Sequence, residues 1–205
     1  PQPAVLAGAE PREDLVLVLE KGMTIRGRVS GLPGSRLAEV GVFGPDERLE
    51  LVEGEVLEMS PIGQRHAACV NLLTQAFATR CQGTAIVAVQ NPLRVGERSE
   101  FYPDLALLRP RADYYRTGLP TGPDTLLVVE VSDTTVAYDR EVKVPLYGRA
   151  GVPECWLVDL AGGRVEVFSQ PSSGGYGLKR TLLPGEDVRF GLLPEVSLPV
   201  AELVA

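Results

Sequence analysis

The sequence predicts one domain of the α/β (α+β) class, with a central mixed β-sheet flanked by helices. Residues 126–131 (LLVVEV) are almost entirely apolar, as in a central strand that is covered on both faces. Residues 65–80 carry apolar side chains at helical spacing, which indicates an amphipathic helix. The chain has 205 residues, enough for one domain with a sizeable core.

The first half of the chain begins with its least informative segment. We expect residues 1–46 to form an arm or extra strands, and residues 47–205 to form the domain. The segment 48–61 is predicted to be a hairpin, because two alternating stretches flank Glu53-Gly54, a pair suited to a tight turn. The next predicted elements are the helix at 65–80, strands at 84–90 and 103–108, and a polar turn at 96–99.

The second half is predicted to add a helix and more strands. Asp139 is expected to cap a helix that extends to Ala150, with Gly151 just past its end. Pro145 is expected to kink this helix or to mark its real start. The other predicted elements are a loop or short helix at 110–124, strands at 126–131, 155–160, 164–170 and 177–183, and short extended C-terminal pieces from Pro184.

The net charge and the cysteines limit the functional classes and the cellular compartment that suit this chain. The net charge is −7, whereas a non-specific nucleic-acid binder is normally basic, so a nucleic-acid function requires a local basic patch. An acidic chain can also hold divalent cations. Cys69, Cys81 and Cys155 form no CxxC motif, which suits free thiols in a reducing cytoplasm. No apolar run approaches the roughly 18 residues that span a bilayer, and we recognise no signal peptide, so we expect a cytoplasmic protein without a membrane partner.

Glu130 is a carboxylate inside the apolar run at 126–131. Burying it is unfavourable unless it is paired, hydrogen-bonded or bound to a cation. Asp104 begins a second apolar strand, so the two carboxylates would converge if these strands are neighbours in the sheet. Two such carboxylates repel each other, and a divalent cation would stabilise them. The structural alternative is that Glu130 lies at the strand end, facing a loop or a lysine, and that Asp104 is a common strand-start acid.

Lys143 follows Glu130 on the predicted helix. In the functional interpretation its ammonium group points back at the carboxylates and orients the attacking water, or stabilises negative charge in the transition state. The structural alternative is a solvated helix lysine, or a buried ion pair with Glu130 that needs no metal.

Five spaced motifs occur in order over about residues 47–200. They are 50-ELVEGEVLEMSP-61 with His66 after it, Pro103-Asp104, 129-VEVS-132, Tyr138-Asp139-Arg140-x-x-Lys143, and the stretch from Tyr147 to Asp159. With these motifs the chain resembles the Uma family of restriction-endonuclease-like proteins, within the PD-(D/E)xK nuclease superfamily. This resemblance implies a restriction-endonuclease-like fold and a Mg²⁺- or Mn²⁺-dependent site that cleaves phosphodiesters.

The resemblance also implies roles for individual residues. Asp104, Glu130 and the backbone carbonyl of Val131 would hold the metal ion, and Lys143 would orient the water. The superfamily pattern places a lysine two residues after the second acid, where this chain has Ser132. Lys143 matches the position to which many relatives have moved it. Glu50 would be an upstream acid holding a second metal or a metal-bound water, and His66 is a weaker catalytic candidate.

The expected substrate is DNA, although RNA remains open at this point. Arginines are the available phosphate contacts, and several would have to share one face to offset the charge of −7. Singly, each is as well explained as a solvated surface residue. The candidates are Arg65, Arg94, Arg98, Arg111 and Arg116. A homodimer is expected if each of two copies cuts one strand of a duplex.

Two alternatives remain open at this point. A nuclease fold without activity, kept as a binding or regulatory module, is favoured by the acidic balance and by Ser132. A purely structural ion pair between Glu130 and Lys143 or an arginine is the other. Other catalytic classes are disfavoured, because the chain has one histidine, no GxSxG and no phosphate-binding loop followed by a helix.

Overall fold

The computed structural model describes residues 27–28, 49–59 and 61–205. The chain divides into two compact units, of which the smaller is Pro1–Ser60 with Arg94–Phe101 and the larger is Pro61–Leu93 with Tyr102–Ala205. The expected boundary between residues 46 and 47, and most of the expected N-terminal arm, lie outside the described residues. That domain division therefore stays a prediction.

The smaller unit contains a sheet with the strand order β1-β3-β2-β6-β5. The predicted hairpin is confirmed, because β2 and β3 pair in antiparallel register. Glu53 (φ 49°) and Gly54 (φ 91°) both adopt positive φ, as the tight turn of a two-residue hairpin requires. The strands are β1 (Gly27–Arg28), β2 (Leu49–Val52), β3 (Glu55–Glu58), β5 (Leu93–Gly96) and β6 (Ser99–Phe101).

The larger unit is built on a six-stranded sheet with the order β11-β10-β9-β8-β7-β4. Only β8 and β9 run parallel, and the other neighbours are antiparallel, so the sheet is mixed as predicted. The apolar strand β8 lies inside this order, between β7 and β9, and all but one of its eight residues are buried, as expected for a strand covered on both faces. The strands are β4 (Ile86–Ala88), β7 (Leu105–Leu108), β8 (Thr125–Ser132), β9 (Glu154–Asp159), β10 (Arg164–Ser172) and β11 (Gly175–Leu182).

Helix α1 (Gln64–Arg80) confirms the predicted amphipathic helix. Its buried side chains, among them Leu73 and Phe77, belong to the core that covers one face of β7, β8 and β9. The Phe77 ring lies 5.8 Å from that of Trp156 on β9. The same core includes residues of β12 (Asp187–Phe190), β13 (Leu193–Pro199) and α4 (Val200–Leu203).

The connection from β8 to β9 is helical, but it differs from the prediction. Helix α2 (Val136–Tyr138) continues through a π-helical turn (Asp139–Lys143) into α3 (Val144–Arg149). The prediction that Asp139 caps the helix is wrong, because the helix begins at Val136 and Asp139 lies inside it. The Thr135 hydroxyl instead donates to the Asp139 carboxylate at 2.8 Å.

Pro145 and Gly151 behave as their chemistry requires. Pro145 stands at the start of α3, directly after the π-helical turn, where its missing N–H is tolerated. The predicted glycine end is confirmed: Gly151 has φ 84° and its N–H donates to the Gly148 carbonyl. A Cβ at Gly148 would lie 2.5 Å from the carbonyl carbon of Gly175, so α3 lies directly against the start of β11.

The structure shows the state of the three cysteines and the character of the helices. Cys69, Cys81 and Cys155 are buried free thiols, and burial, together with the nearby Asp104 charge, raises the pKa of Cys69 to about 12. No helix in the described part of the chain is both long and apolar enough to cross a bilayer.

Candidate active site

Asp104 lies immediately before β7 and is buried. Its Oδ2 accepts the Val131 N–H at 2.9 Å and lies 3.0 Å from Nε2 of His66. Its Oδ1 accepts a 3.3 Å hydrogen bond from the Gln90 side chain. The structure therefore brings together two predicted site residues, Asp104 and His66, and adds Gln90, which the sequence did not indicate.

Neighbouring strands bring Asp104 and Glu130 to the same end of the sheet. β7 and β8 are paired, with Leu105 opposite Val129 in an antiparallel register. One step further along the same register, position 104 faces position 130. The bond from the Val131 N–H holds the Asp104 carboxylate against the peptide that follows Glu130. The condition set by the sequence, that the two acid-bearing strands are adjacent, is therefore met.

Glu130 is held by two side chains from the helical connection. Its Oε1 lies 2.7 Å from Nζ of Lys143 and accepts a 2.5 Å hydrogen bond from the Tyr147 hydroxyl. All three residues are buried, so Lys143 is not a solvated helix lysine. Tyr147 was missed as a site residue, although it stands four residues after Lys143, a spacing that places both on one face of a helix.

Ser132 occupies the position where the superfamily pattern has its lysine. Its hydroxyl lies 3.1 Å from the Thr135 hydroxyl, which in turn donates to Asp139. This chain of hydrogen bonds joins the end of β8 to the π-helical turn. Ser132 therefore contacts the helical connection through Thr135. Lys143, which lies in that connection, reaches Glu130 from the helix.

A charged cluster around the buried Asp159 and Glu166 also contacts the π-helical turn. Arg140 donates to Glu166 at 2.7 Å and lies 3.4 Å from Asp159. Burial tends to raise the pKa of Glu166, but hydrogen bonds from Arg140 and Lys179 outweigh it, so the pKa is lowered overall. The Glu166 hydrogen bond also raises the pKa of Arg140. Arg164 joins the cluster through Asp159 at 2.9 Å.

The candidate phosphate contacts of the larger unit are spread over two places. Arg65 is on α1 and donates to the carbonyls of Leu160 and Val204, so part of its guanidinium is used to join the helix to the C-terminal end. Arg111 and Arg116 lie in the loop between β7 and β8. That loop begins where β7 ends, at the opposite end of the strand from Asp104.

The remaining candidates belong to the smaller unit. Glu50 is a buried residue of β2, Arg94 lies in β5, and Arg98 lies in the turn between β5 and β6. The Arg98 carbonyl accepts the Gly54 N–H at 2.8 Å, which joins this turn to the β2–β3 hairpin. Their roles in a nuclease site stay predictions.

The donor chemistry at Asp104 and Glu130 fits one class of metal ion. The described residues contain no group of three or more His, Cys, Asp or Glu side chains placed to hold a metal. Mg²⁺ takes one or two protein carboxylates and completes its octahedral shell with water and phosphate oxygens. Two carboxylates at one end of neighbouring strands suit that cation.

Comparison with known proteins identifies a family and a fold. The family model Uma2, described as "Putative restriction endonuclease", matches residues 35–201. A solved structure described as a "putative nuclease belonging to DUF820" from Anabaena variabilis ATCC 29413 is similar, with a TM-score of 0.64 and 13% identity. The match covers 85% of this chain and 98% of that one. At this identity the likeness shows the fold, which is the restriction-endonuclease-like fold expected from the sequence.

Two further comparisons add little. The type IIG restriction endonuclease BpuSI matches with a TM-score of 0.37 and 18% identity, over 58% of this chain and 14% of that one. A TM-score this low carries no argument about the fold. No match was found among curated proteins.

Proposed function

Because the chain belongs to the Uma2 family of restriction-endonuclease-like proteins, we propose that it is a Mg²⁺-dependent endonuclease that hydrolyses phosphodiester bonds in DNA. The observation that carries this proposal is the pairing of β7 with β8, which puts Asp104 across from Glu130 at one end of the sheet. A metal-dependent nuclease needs carboxylates at its active site, because they bind the cation that contacts the phosphate.

Asp104 and Glu130 would hold the cation, together with the carbonyl of Val131. When bound, Mg²⁺ or Mn²⁺ supplies positive charge to a phosphate oxygen and makes a bound water more acidic. His66 and the Val131 N–H orient the Asp104 carboxylate by contacting its Oδ2. Preorientation of this kind reduces the reorganisation that binding would otherwise require.

Lys143 is the cationic side chain of the proposed mechanism. Its ammonium group, 2.7 Å from Glu130, would orient the attacking water and offset negative charge that develops on the phosphate oxygens. Tyr147 acts through Glu130 and is a positioning residue, because its hydroxyl fixes the carboxylate in place. Both side chains come from one helical connection, so the distance between lysine and carboxylate depends on how that connection is held.

We also propose that duplex cleavage uses two copies of the chain in the cytoplasm. One centre cuts one strand, so cutting both strands of a duplex requires a second centre. The expected assembly is a homodimer, which light scattering after size-exclusion chromatography would detect directly.

A catalytically silent nuclease fold is the second candidate. It is favoured by Ser132 at the usual lysine position and by the ion pair between Lys143 and Glu130, which satisfies both buried charges without a metal. In that case the protein would bind nucleic acid without cutting it.

The test is cleavage of single-stranded, double-stranded and branched DNA, with an RNA substrate beside them, in Mg²⁺, Mn²⁺ or EDTA. We expect metal-dependent cutting that Asp104→Asn and Glu130→Gln each reduce by at least about 100-fold, a typical loss for one catalytic electrostatic contact. The matched control is Glu154→Gln, which alters a buried glutamate of β9 that is bonded to Trp156.

Each result separates the two candidates. Cutting that persists in Asp104→Asn would place the reaction elsewhere in the protein. The absence of cutting on every substrate, with no Mn²⁺ binding by calorimetry, would overturn the metal site. Nucleic-acid binding without cutting would establish the silent alternative.

A further inference from the structure

The loop between β7 and β8 has an unusual backbone. We define the Tyr114 loop as residues 109–118 (RPRADYYRTG). Tyr114 has φ 51° and Tyr115 has φ 63°, so two consecutive tyrosines adopt the left-handed region. This region is sterically unfavourable for bulky L-residues, and two in succession are uncommon. Strain of this kind is retained where surrounding contacts enforce it, often at functional positions.

Asp113 enforces this conformation. Its carboxylate accepts hydrogen bonds from the Tyr115 and Thr117 N–H groups, the Thr117 hydroxyl and the Arg111 guanidinium. The Thr117 hydroxyl bond is the main cause of a pKa lowered to about 2 for Asp113, with Arg111 and the backbone bonds adding to it. The Tyr114 loop is therefore organised by its own polar contacts.

The two tyrosines have different surroundings. The Tyr115 hydroxyl donates to the Arg109 carbonyl at 2.9 Å, and the Arg111 guanidinium lies 4.9 Å from its ring centre. Tyr115 is thus part of the loop's internal packing. Tyr114 is 75% exposed, the highest value among the large hydrophobic side chains of the described residues. The strained backbone therefore presents one aromatic ring to solvent.

The Tyr114 loop is basic in an acidic protein. It contains Arg109, Arg111 and Arg116 against Asp113, a net charge of +2 (three minus one), while the whole chain has −7. Arg111 is paired with Asp113 at 2.7 Å. Arg109 and Arg116, both exposed like Tyr114, carry the remaining positive charge of the loop. This is the local basic patch that a nucleic-acid function requires in a chain of this composition.

The loop is remote from the candidate active site. Asp104 precedes β7 and Glu130 lies near the end of β8, whereas the loop joins Leu108 to the start of β8. A four-residue strand spans about 13 Å. The nucleotides bound at this loop would therefore be separated from the phosphate that is cut by about the length of β7.

We propose that the Tyr114 loop binds a single strand of nucleic acid at a distance from the cleavage centre. An unpaired base stacks on the Tyr114 ring, and Arg116 contacts a phosphate. Stacking on exposed aromatic rings combined with a positive surface is how proteins bind single strands without sequence preference. A duplex hides its base faces, so the exposed ring favours an unpaired segment. The choice of partner rests on the proposed nuclease function, but the loop's binding does not require cleavage.

Fluorescence anisotropy tests this proposal with labelled 20-nucleotide oligo(dT), oligo(U) and a 20-base-pair duplex, at low salt in EDTA. We expect Tyr114→Ala to weaken single-strand binding about tenfold, in line with the loss of one stacked base, and Tyr114→Phe to retain it. The oligo(dT) and oligo(U) arms distinguish DNA from RNA as the source of the strand. The matched controls are Leu178→Ala and Arg180→Ala, two exposed residues of β11, which three strands separate from β7.

Salt dependence separates the two proposed contacts. Loss of one phosphate contact lowers the slope of log affinity against log salt by about 0.7 for a single strand. Arg116→Ala is expected to show this decrease, whereas Tyr114→Ala is expected to lose affinity with an unchanged slope. Photocrosslinking to an oligonucleotide that contains 5-iododeoxyuridine should place the modified peptide at Tyr114.

Each outcome decides the proposal, and does so independently of the nuclease. Because the binding is measured in EDTA, a wild type that binds oligo(dT) through Tyr114 but cuts no DNA would support the loop proposal and overturn the nuclease proposal. Wild-type affinity in Tyr114→Ala, or crosslinking only elsewhere in the chain, would overturn the binding role of the loop. A change of molecular mass in Tyr114→Ala without a change in oligonucleotide affinity would also overturn it, and would assign the loop to self-association.

Discussion

Nζ of Lys143 lies 2.7 Å from Oε1 of Glu130 within a buried part of the fold. The lysine reaches the strand from a π-helical turn, whose wider spacing is often found at functional sites. Two opposite charges that are buried together are stable only as a pair. Their contact therefore links the position of the helix to the charge on β8.

Glu130→Gln should lower the free energy of unfolding by about 3–5 kcal/mol, because it removes the carboxylate charge that lies 2.7 Å from the buried Lys143 ammonium group. The double variant Glu130→Gln/Lys143→Met should recover most of this loss. Urea unfolding of the two single variants and the double variant measures the coupling. Glu154→Gln, which leaves no buried lysine behind, serves as the control. Additive effects in the cycle would contradict an energetically significant ion pair.

Divalent cations should raise the melting temperature if Asp104 and Glu130 bind them. At 100 times the dissociation constant, binding contributes about 2.7 kcal/mol, which for a chain of this size corresponds to a shift of several degrees. We expect Mn²⁺ to raise the melting temperature of the wild type in a dose-dependent way, with reversal by EDTA and no shift in Asp104→Asn. A flat response in the wild type would favour the ion pair without a metal.

Arg140→Ala should change how stability depends on pH. The pKa of Glu166 is lowered from 4.5, so its contribution is present above 4.5 and is lost as the pH falls through the lowered value. Removal of Arg140 should destabilise the protein more at pH 7 than at an acidic pH at which Glu166 is protonated. Urea unfolding at both pH values tests this, with exposed Arg189 on β12 changed to alanine as the control. An equal loss at the two pH values would rule out the charge pairing as the cause.

Tyr114→Gly should be more stable than Tyr114→Ala by about 1 kcal/mol. Both variants remove the exposed ring, but only glycine adopts positive φ without steric cost. The comparison therefore isolates the backbone strain at φ 51°. Denaturant midpoints measure the difference, and both variants should lose the same oligonucleotide affinity. If alanine were the more stable of the two, the strained conformation would not exist in solution.

Asp113 should titrate near pH 2 in the wild type, where its hydrogen bonds lower the pKa from 3.8. The bonds that organise the Tyr114 loop are therefore present above 3.8 and are lost as the pH falls through about 2. Thr117→Val removes the largest contribution and should move the pKa back toward 3.8. Carboxyl carbon NMR shifts measured against pH follow this directly. An unchanged midpoint in Thr117→Val would show that the backbone bonds suffice.

Several elements were predictable because their signals are local. The helix at Gln64–Arg80 follows from apolar spacing, the β2–β3 hairpin from Glu53-Gly54, and the end of α3 from Gly151. In each case the interactions that decide the structure lie within a few residues of one another. The apolar run of β8 likewise indicated a central strand, and the single acid within it, Glu130, indicated a candidate site.

The polar contacts around that acid were decided by the tertiary structure. Tyr147 and Lys143 reach Glu130 because the connection between β8 and β9 returns across the sheet, and this path depends on the parallel pairing of those strands. The sequence suggested that Asp139 caps a helix, but the helix begins earlier and takes up a π-helical turn before Pro145. Local propensity does not specify such a turn.

The sequence by itself determined the helix at Gln64–Arg80, the β2–β3 hairpin, the family resemblance and the two acid-bearing strands. Only the tertiary structure decided that Arg140 donates a hydrogen bond to Glu166, 26 residues away. It also decided that the Tyr114 loop lies at the opposite end of β7 from Asp104. The physical reason is that periodicity and turn chemistry report interactions between near neighbours. The partner of a buried charge is instead selected by strand order and register, which bring distant residues together.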